Sequence, residues 1–296
     1  MFDFRLKVFY TVAKRLNFTK AAEELFITQP AVSKHIQEIE NHFRIRLFER
    51  NGSKIKLTKA GGVLLHYCNQ IFGIYSTLEF ELNSFTETHK GILRIGASTT
   101  IAQYLLPPIL ADFHKRYSEI QISLIISNTE QIENALKNNE IDFGIVEGQA
   151  KNSSFKYSDF VNDEIVLVTS VKNNFTAEVI NTEELKKIPM VLREPGSGTL
   201  EVIAHSLKPH NLKISDLICE MQLGSTESIK SYLTHSSCMA FLSIHSIINE
   251  LRNNTLKIID LENLNIIRSF QFIQLHGESD GLSDLFMDYA RHYNFK

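Results

Sequence analysis

The stretch from Phe18 to Arg50 has the sequence FTKAAEELFITQPAVSKHIQEIENHFRIRLFER, which is the pattern of two short helices joined by a tight turn. Thr19 is the expected cap of the first helix, and Ala21, Ala22 and Leu25 give that helix a small apolar face that a second helix can approach closely. Thr28 is the expected cap of the second helix. Pro30 falls in its first turn, where a missing N–H costs nothing.

The second helix separates an apolar side from a polar one. Its apolar residues recur at helical spacing: Ile27, Val32, Ile36, Ile39 and Phe43. The outer face at its start consists of Gln29, Pro30, Ser33, Lys34 and Gln37. Hydroxyl, amide and ammonium groups at a helix N-terminus can contact base edges or phosphates, so we predict a helix-turn-helix that binds double-stranded DNA. On periodicity alone, an ordinary helical pair with a solvated polar face is the alternative.

Five segments extend this pattern over about sixty residues, and they are Leu25, Gln29–Ser33, Ile39-Glu40, Leu47–Arg50 and Leu57–Gly61. In order and spacing they resemble the N-terminal module of LysR-type transcriptional regulators. The chain departs from the family pattern at Asn17, where a serine is usual, and at Arg44, where a glycine usually ends the recognition helix. The resemblance implies a promoter-binding regulator.

A hairpin is predicted directly after the helix-turn-helix. Leu47-Phe48 and Ile55–Leu57 have strand character, and the Asn51-Gly52 pair between them favours a tight turn. The flanking cations Arg50, Lys54 and Lys56 suggest a wing that lies along the DNA backbone. A plain solvated hairpin is the alternative.

The distribution of charge agrees with this location of the DNA-binding surface. Residues 1–60 hold 12 Lys and Arg against 6 Asp and Glu, a net charge of +6. Residues 61–296 hold 19 against 28, a net charge of −9, although the whole chain of 296 residues carries only −3. Phosphate binding requires the positive segment, and the acidic remainder would repel DNA.

A long helix is predicted after Thr58. Its apolar positions alternate at spacings of four and three: Leu64, Cys68, Ile71, Tyr75, Leu78, Leu82 and Phe85. Three heptads of this pattern predict a dimerising helix, and packing against the C-terminal domain is the alternative. We therefore divide the chain into a winged helix-turn-helix domain at 1–60, a linker helix at 61–90 and an effector-binding domain at 91–296.

From Gly91 onward, apolar strands alternate with amphipathic helices, the pattern of a mainly parallel α/β fold. The predicted strands are Ile92–Ala97, Gln121–Ile126, Phe143–Val146, Ile165–Thr169, Met190–Leu192, Ile218–Leu223, Met239–Leu242, Leu256–Ile259 and Phe270–Leu275. Polar groups follow five of them, in Ser98–Thr100, Asn128-Thr129, Glu147-Gly148, Arg193–Thr199 and Ser225–Glu227. Ligands of open α/β sheets bind at such strand ends, so we predict a shared cleft.

Taken singly, each of these Ser and Thr residues could be only a helix cap. Their repetition favours a site for a small oxyanion, where hydroxyls of Thr100, Thr129, Ser197 and Thr199 converge with the Arg193 guanidinium. Glu147 either pairs with Arg193 or receives a cationic group of a zwitterionic effector.

The segments GASTTIAQYLLPPIL (96–110), Asn128-Thr129, IDFGIVEG (141–148) and LREPGSGT (192–199) are similar to the two-lobed, periplasmic-binding-protein-like effector domain of the LysR branch that includes regulators of sulfur assimilation and carbon fixation. The resemblance implies that the cleft is lined by Ser98, Thr99, Thr100, Asn128, Thr129, Glu147, Arg193, Ser197, Thr199, Ser225 and Thr226. It also implies a homotetramer built as a dimer of dimers, with RNA polymerase as a further partner. One departure is 235–238, His-Ser-Ser-Cys, where a glycine-rich turn is usual.

The remaining features of the sequence exclude other classes. Cys68, Cys219 and Cys238 have neither the number nor the spacing of a disulfide framework or a metal site. No segment has the ~18 uninterrupted apolar residues of a membrane span, and no signal peptide is evident, so we expect a cytoplasmic protein that binds no membrane, metal or cofactor.

Two rival functions use the same cleft. An enzyme could use its Ser, Thr and Glu side chains, but the sequence contains no Gly-x-Ser-x-Gly, His-Glu-x-x-His or phosphate-loop motif. A solute-binding protein would need an export signal and would have no use for residues 1–60. We therefore predict a regulator that is not an enzyme.

Overall fold

The computed structural model describes residues 3–51, 54–84, 90–148, 151–276 and 281–294. The chain forms two compact units, which divide between Ser76 and Thr77. The first unit contains a helix-turn-helix and a two-stranded wing, and the second contains a ten-stranded sheet with helices. The predicted α/β class, with a winged helix-turn-helix ahead of a two-lobed domain, is confirmed.

The first unit is built from three short helices, a hairpin and the start of a long helix. Its elements are α1 (Phe4–Arg15), α2 (Phe18–Glu24), α3 (Gln29–Phe43), β1 (Phe48–Asn51), β2 (Lys54–Leu57) and α4 (Lys59–Ser84), the last of which continues past the division. Its core is formed by Val8, Phe9, Val12, Ala21, Val32, Ile36, Leu47 and Cys68. The apolar periodicity of α1 and α3 therefore produces a three-helix core with α2.

Capping side chains determine where these helices begin. The predicted cap at Thr19 is wrong, because the helix begins directly after Asn17, whose Oδ1 accepts the Lys20 N–H at 3.0 Å. Asparagine at this position therefore performs the capping expected of serine. Thr28 caps α3 as predicted, and its Oγ1 accepts the Ala31 N–H at 3.4 Å.

The apolar seam of α4 has two different environments. Cys68 is fully buried in the core of the first unit, and Leu64 packs against the same core. Ile71, Leu78 and Leu82 are instead exposed, with Leu78 at 47% of its maximal surface. Phe85, the last predicted seam residue, lies outside the described residues.

The second unit consists of two lobes that share one sheet. Its strands are β3 (Gly91–Ser98), β4 (Ile120–Ser127), β5 (Phe143–Val146), β6 (Phe155–Ser170), β7 (Val179–Ile180), β8 (Pro189–Leu192), β9 (Ile218–Gln222), β10 (Met239–Ser243), β11 (Leu256–Leu261) and β12 (Ile266–Leu275). Its helices are α5 (Leu106–Arg116), α6 (Thr129–Lys137), α7 (Gly198–Leu207), α8 (Thr226–Leu233), α9 (Ile244–Arg252) and α10 (Gly281–Arg291). Short 3-10 turns lie at Thr182–Lys187, Lys208–His210 and Ile214–Asp216. A π-helical turn, Ile101–Leu105, leads into α5.

Lobe one contains β3 to β5 with α5, α6 and α10, and lobe two contains β8 to β11 with α7 to α9. The sheet order is β4-β3-β5-β12-β6-β10-β8-β9, and β11 pairs with both β6 and β7. The long strands β6 and β12 pair antiparallel and join the lobes. β12 also pairs with β5 of lobe one, while the end of β6 pairs with β10 and β11 of lobe two.

All nine predicted strands are present, but the crossing strands are longer than predicted. The segment Ile165–Thr169 is only the second half of β6, and β12 begins four residues before Phe270. Among the described residues of the second unit, five strand pairings are parallel and four are antiparallel. Every antiparallel pairing involves β6 or β12, so the sheet is less parallel than predicted.

Candidate DNA-binding face and effector cleft

The start of α3 presents the polar face that the sequence predicts. Gln29, Pro30, Lys34 and Gln37 are exposed, and Ser33 is half-buried. Gln29 Nε2 donates a hydrogen bond to Ser33 Oγ at 2.9 Å, one helical turn away. The amide and hydroxyl groups are thus held on one side of the first two turns of the recognition helix.

A groove of about 630 Å³ lies between α3 and the wing. It is lined by Phe18, Ser33, Ile36, Gln37, Glu40, Arg46, Phe48, Glu49, Ile55 and Thr58. On the wing itself, Lys56 is exposed and pairs in register with Glu49. Arg50 and Lys54 occupy paired strands, but their side chains lie outside the described residues.

The Glu40 carboxylate connects the recognition helix to the segment that leads into the wing. Glu40 is 9% exposed, and its Oε1 accepts the backbone N–H groups of Leu47 at 2.7 Å and Phe48 at 3.4 Å. Its Oε2 lies 3.3 Å from Arg46 Nη1. The sequence analysis did not identify this residue as functional, since a glutamate near a helix end has no local feature that marks it as buried.

Lobe one contributes the strand ends of β3 and β4 to the cleft. Ser98 ends β3, Thr99 and Thr100 follow it, and all three residues are buried. Thr99 Oγ1 donates to the Ser127 carbonyl at 3.4 Å. Asn128 caps α6, since its Oδ1 accepts the Gln131 N–H at 3.0 Å. Its carboxamide oxygen therefore has the helix-capping role that was the alternative to a ligand contact.

The N-terminus of α7 brings lobe two against lobe one. The Gly196 carbonyl accepts the Glu130 N–H at 3.2 Å, which directly joins the starts of α7 and α6. Gly198 lies so close to Glu147 that a Cβ atom would overlap the Glu147 carbonyl oxygen, which explains the glycine there. Ser197 caps α7 and accepts the Leu200 N–H at 3.5 Å.

Hydroxyl groups from both lobes converge on Glu147. Thr129 Oγ1 donates to the Glu147 carbonyl at 3.0 Å, and Thr199 Oγ1 donates to its Oε1 at 3.0 Å. Ser98 Oγ donates to Oε2 of the same carboxylate. Glu147 is 3% exposed, so these donors stabilise a carboxylate that has little contact with water.

Arg193 does not pair with Glu147, and that predicted pairing is wrong. Its guanidinium binds the adjacent Glu194 carboxylate through Nε at 2.9 Å and Nη2 at 3.0 Å. Glu147 instead faces Arg268, whose Nη1 lies 3.3 Å from Glu147 Oε1. The cation of this network therefore comes from β12 and not from the end of β8.

Two charged residues of the network, Arg268 and Asp163, were missed by the sequence analysis. Arg268 Nε lies 2.7 Å from Asp163 Oδ2, and the two residues are register partners on β12 and β6. Arg268 Nη1 also donates to Thr199 Oγ1 at 2.8 Å, and Asp163 Oδ1 accepts from Ser243 Oγ at 2.7 Å. One signal was available, because Arg268 alternates with Ile266 and Phe270 on the buried side of a strand.

The last two predicted cleft residues lie at the start of α8. Ser225 is half-buried and Thr226 is buried. The next residue, Glu227, accepts a hydrogen bond from the Tyr104 hydroxyl, so this helix end also joins the lobes. Burial and the hydrogen bond to Glu227 raise the pKa of Tyr104 above its usual range. Among the described residues, neither Ser225 nor Thr226 forms a hydrogen bond with Glu147.

The segment 235–238 forms a turn without glycine. None of its four residues has a positive φ angle, so a glycine-rich sequence is not required here. Burial raises the pKa of the Cys238 thiol to about 11, as expected of an inert, packed cysteine. This turn precedes β10, whereas Ser243, which contacts Asp163, lies at the other end of that strand.

The two units thus define a DNA-binding protein with an attached small-molecule domain, the architecture of a transcription regulator. Residues 4–62 match the family "Bacterial regulatory helix-turn-helix protein, lysR family", and residues 86–294 match "LysR substrate binding domain". The chain belongs to the LysR family of transcriptional regulators.

Two similar proteins span nearly the whole chain. The "Probable RuBisCO transcriptional regulator" of Thalassiosira pseudonana is 32% identical over 275 residues, covering 91% of this chain and 90% of that protein. The regulator CysL of Bacillus subtilis (strain 168) is 29% identical over 269 residues, covering 90% and 89% respectively. The predicted likeness to the branch that includes sulfur-assimilation and carbon-fixation regulators is confirmed.

Solved structures of the family agree with the fold. The regulatory domain of CcmR from Synechocystis PCC6803, in complex with 2-PG, is 27% identical with a TM-score of 0.62, covering 68% of this chain and 96% of that one. Full-length CbnR with its target DNA has a TM-score of 0.69, covering 98% and 99%, but at 16% identity it supports the fold alone.

Within the ranges that the structure describes, no helix is long and apolar enough to cross a membrane. In those same ranges, no three His, Cys, Asp or Glu side chains form a group that could hold a metal ion.

Proposed function

We propose that the cleft between the lobes binds a small anionic metabolite and that this binding controls a promoter of sulfur or central carbon metabolism. The observation that carries the proposal is the convergence of hydroxyl donors from both lobes. Ser98, Thr129 and Thr199 all donate to one residue, Glu147, and such donors suit an oxyanion equally well. The CcmR regulatory domain bound to 2-PG and the RuBisCO-regulator relatives support an acidic metabolite.

In this proposal, the eleven predicted cleft residues form the effector site, with Arg193 held by the adjacent Glu194 carboxylate. Ligand binding would change the relation of the two lobes and thereby the placement of the DNA-binding modules. The functional division remains 1–60 for DNA, 61–90 for dimerisation and 91–296 for the effector. The protein works in the cytoplasm as a homotetramer on promoter DNA, where it contacts RNA polymerase, and it has no catalytic activity.

The exposed side of α4 supports the oligomeric part of the proposal. Ile71 and Leu78 are 37% and 47% exposed, and Leu82 continues the same seam at 58%. Apolar residues at this spacing on a long helix favour pairing with a second copy of that helix.

Thr100→Val tests the effector site, because valine keeps the shape of threonine and removes its hydroxyl. Calorimetric titration of the full chain with 2-PG, inorganic sulfate and inorganic phosphate should give an affinity that the variant weakens by about 1–3 kcal/mol. Thr176→Val, at an exposed position in lobe two, is the matched control and should bind as the unmodified chain does. Gel shifts should show unchanged basal DNA binding. Equal affinity in both variants would place the site elsewhere.

A further inference from the structure

One NH2 group of the cleft network has no hydrogen-bond partner among the described residues. The Arg268 side chain is 1% exposed, and its Nη2 is buried without a partner among the described residues. Its other two nitrogens are occupied, with Nε bonded to Asp163 and Nη1 bonded to Thr199. A guanidinium is only a donor, so the free N–H can be satisfied only by an acceptor that enters the network.

The Glu147 carboxylate already accepts the hydrogen bonds that a bound oxyanion would accept. Its two oxygens receive the Ser98 and Thr199 hydroxyls, and Arg268 Nη1 lies 3.3 Å away. Two buried carboxylates, Glu147 and Asp163, thus face the single guanidinium of Arg268. An added anion would be repelled by Glu147 unless that carboxylate moved away.

We propose, on the basis of the function proposed above, that Arg268 anchors the acidic group of the effector and that Glu147 is its built-in competitor. The entering oxyanion takes the place of the Glu147 carboxylate at Arg268 and Thr199 and also accepts the free Nη2–H. Asp163 stays bonded to Arg268 throughout, because it is the register partner across β6 and β12.

This exchange links ligand binding to the arrangement of the lobes. Glu147 follows β5 in lobe one, whereas Thr199 lies in the first turn of α7 in lobe two. Their hydrogen bond is therefore a contact between lobes, and displacement of Glu147 breaks it. Arg268 lies on β12, which runs between the lobes. It therefore keeps its position while the contact between Glu147 of lobe one and Thr199 of lobe two is broken.

Glu147→Gln is the decisive variant, since it keeps the shape and an acceptor oxygen but removes the competing charge. We expect the full-length variant to bind 2-PG, inorganic sulfate or inorganic phosphate at least tenfold more tightly than the unmodified chain, by calorimetry at constant ionic strength. Glu133→Gln removes a half-buried carboxylate of lobe one outside the network, and its affinity should stay within twofold. This control corrects for the general effect of one fewer negative charge.

Arg268→Met should reduce the affinity at least tenfold, and a melting curve establishes whether this variant folds. If it does not fold, the Glu147→Gln titration decides alone. Unchanged or weaker anion binding by Glu147→Gln, with measurable binding by the unmodified chain, would overturn the competitor role and leave the anionic effector standing. No binding of any of the three anions to either protein would overturn the anionic effector itself.

Discussion

Glu40 Oε1 accepts the backbone N–H of Leu47 at 2.7 Å, which fixes the segment before the wing to the recognition helix. Leu47 is 1% exposed, so its N–H has little access to water once this acceptor is removed. The carboxylate therefore orients the wing relative to α3, and both elements line the groove between them.

Glu40→Ala should lower the free energy of unfolding by about 1–3 kcal/mol, because it leaves a buried N–H without an acceptor. Glu40→Gln retains an acceptor oxygen, so it should lower the free energy of unfolding by less than Glu40→Ala does. Thermal unfolding of the full chain measures both effects, and Glu23→Ala, at an exposed position of α2, serves as control. A loss in the control as large as that in Glu40→Ala would contradict the proposed role.

Gln37→Ala should reduce the preference for a specific operator over random DNA. Gln37 is exposed on the third turn of the recognition helix, where a carboxamide can make a bidentate contact with a base edge. The expected cost on specific DNA is about 1–3 kcal/mol, measured by fluorescence anisotropy against both DNAs at one salt concentration. Equal losses on the two DNAs would make Gln37 a phosphate contact.

Changing the seam residues Ile71 and Leu78 together to glutamate should weaken self-association of the full chain. Both side chains are exposed on α4, so the change places charges in the proposed helix pair without disturbing the core around Cys68. Sedimentation velocity over a range of concentrations measures the effect. His66→Glu, an exposed position on the same helix, is the control. An unchanged oligomer in the double variant would remove α4 from the interface.

The features that could be predicted from the sequence are those with local causes. Thr28 was identified as a cap because it precedes an apolar period, and the β3 end was identified because hydroxyls follow an apolar run. The strand order could not be obtained in this way, since β12 pairs with β5 and β6 across more than a hundred residues. The half of β6 before Ile165 alternates less clearly, because several of its side chains are only half-buried.

The charged network was missed for the same reason. Arg268 and Asp163 are separated by 105 positions, and only the register of β12 on β6 places them opposite each other. The sequence favours Arg193 as the cation of the cleft because it lies beside a Gly- and Ser-rich segment. In the structure, its guanidinium instead binds the adjacent Glu194 carboxylate. Proximity along the chain thus decided the pairing of Arg193, and sheet topology decided that of Arg268.

Arg44→Gly should stabilise the first unit and weaken DNA binding. Arg44 ends α3 with a φ of 54°, a left-handed conformation that costs a non-glycine residue about 1 kcal/mol. Glycine relieves that cost, while removal of an exposed cation near the groove should weaken DNA binding uniformly across sequences.

Arg44→Ala is the matched control, because it removes the same charge and keeps the unfavourable backbone. We expect a higher melting temperature for Arg44→Gly alone and an equal loss of DNA affinity in both variants. A melting temperature of Arg44→Gly no higher than that of Arg44→Ala would show that the left-handed conformation carries no cost here.

Asp163→Asn should strongly destabilise the second unit. The Asp163 side chain has no exposed surface, and it neutralises Arg268 at 2.7 Å. Asparagine has nearly the same shape, so the loss of charge leaves a buried guanidinium whose nearest remaining carboxylate is Glu147. Removing one partner of a buried pair costs about 3–5 kcal/mol, and the partial compensation by Glu147 places the expected loss at the lower end of that range. Asp159→Asn makes the same change at an exposed position of the same strand and should cost much less, since Asp159 is solvated and accepts a hydrogen bond from the neutral Gln271 carboxamide at 2.7 Å. Differential scanning calorimetry of the two variants separates these cases, and similar melting temperatures would show that Arg268 does not depend on Asp163.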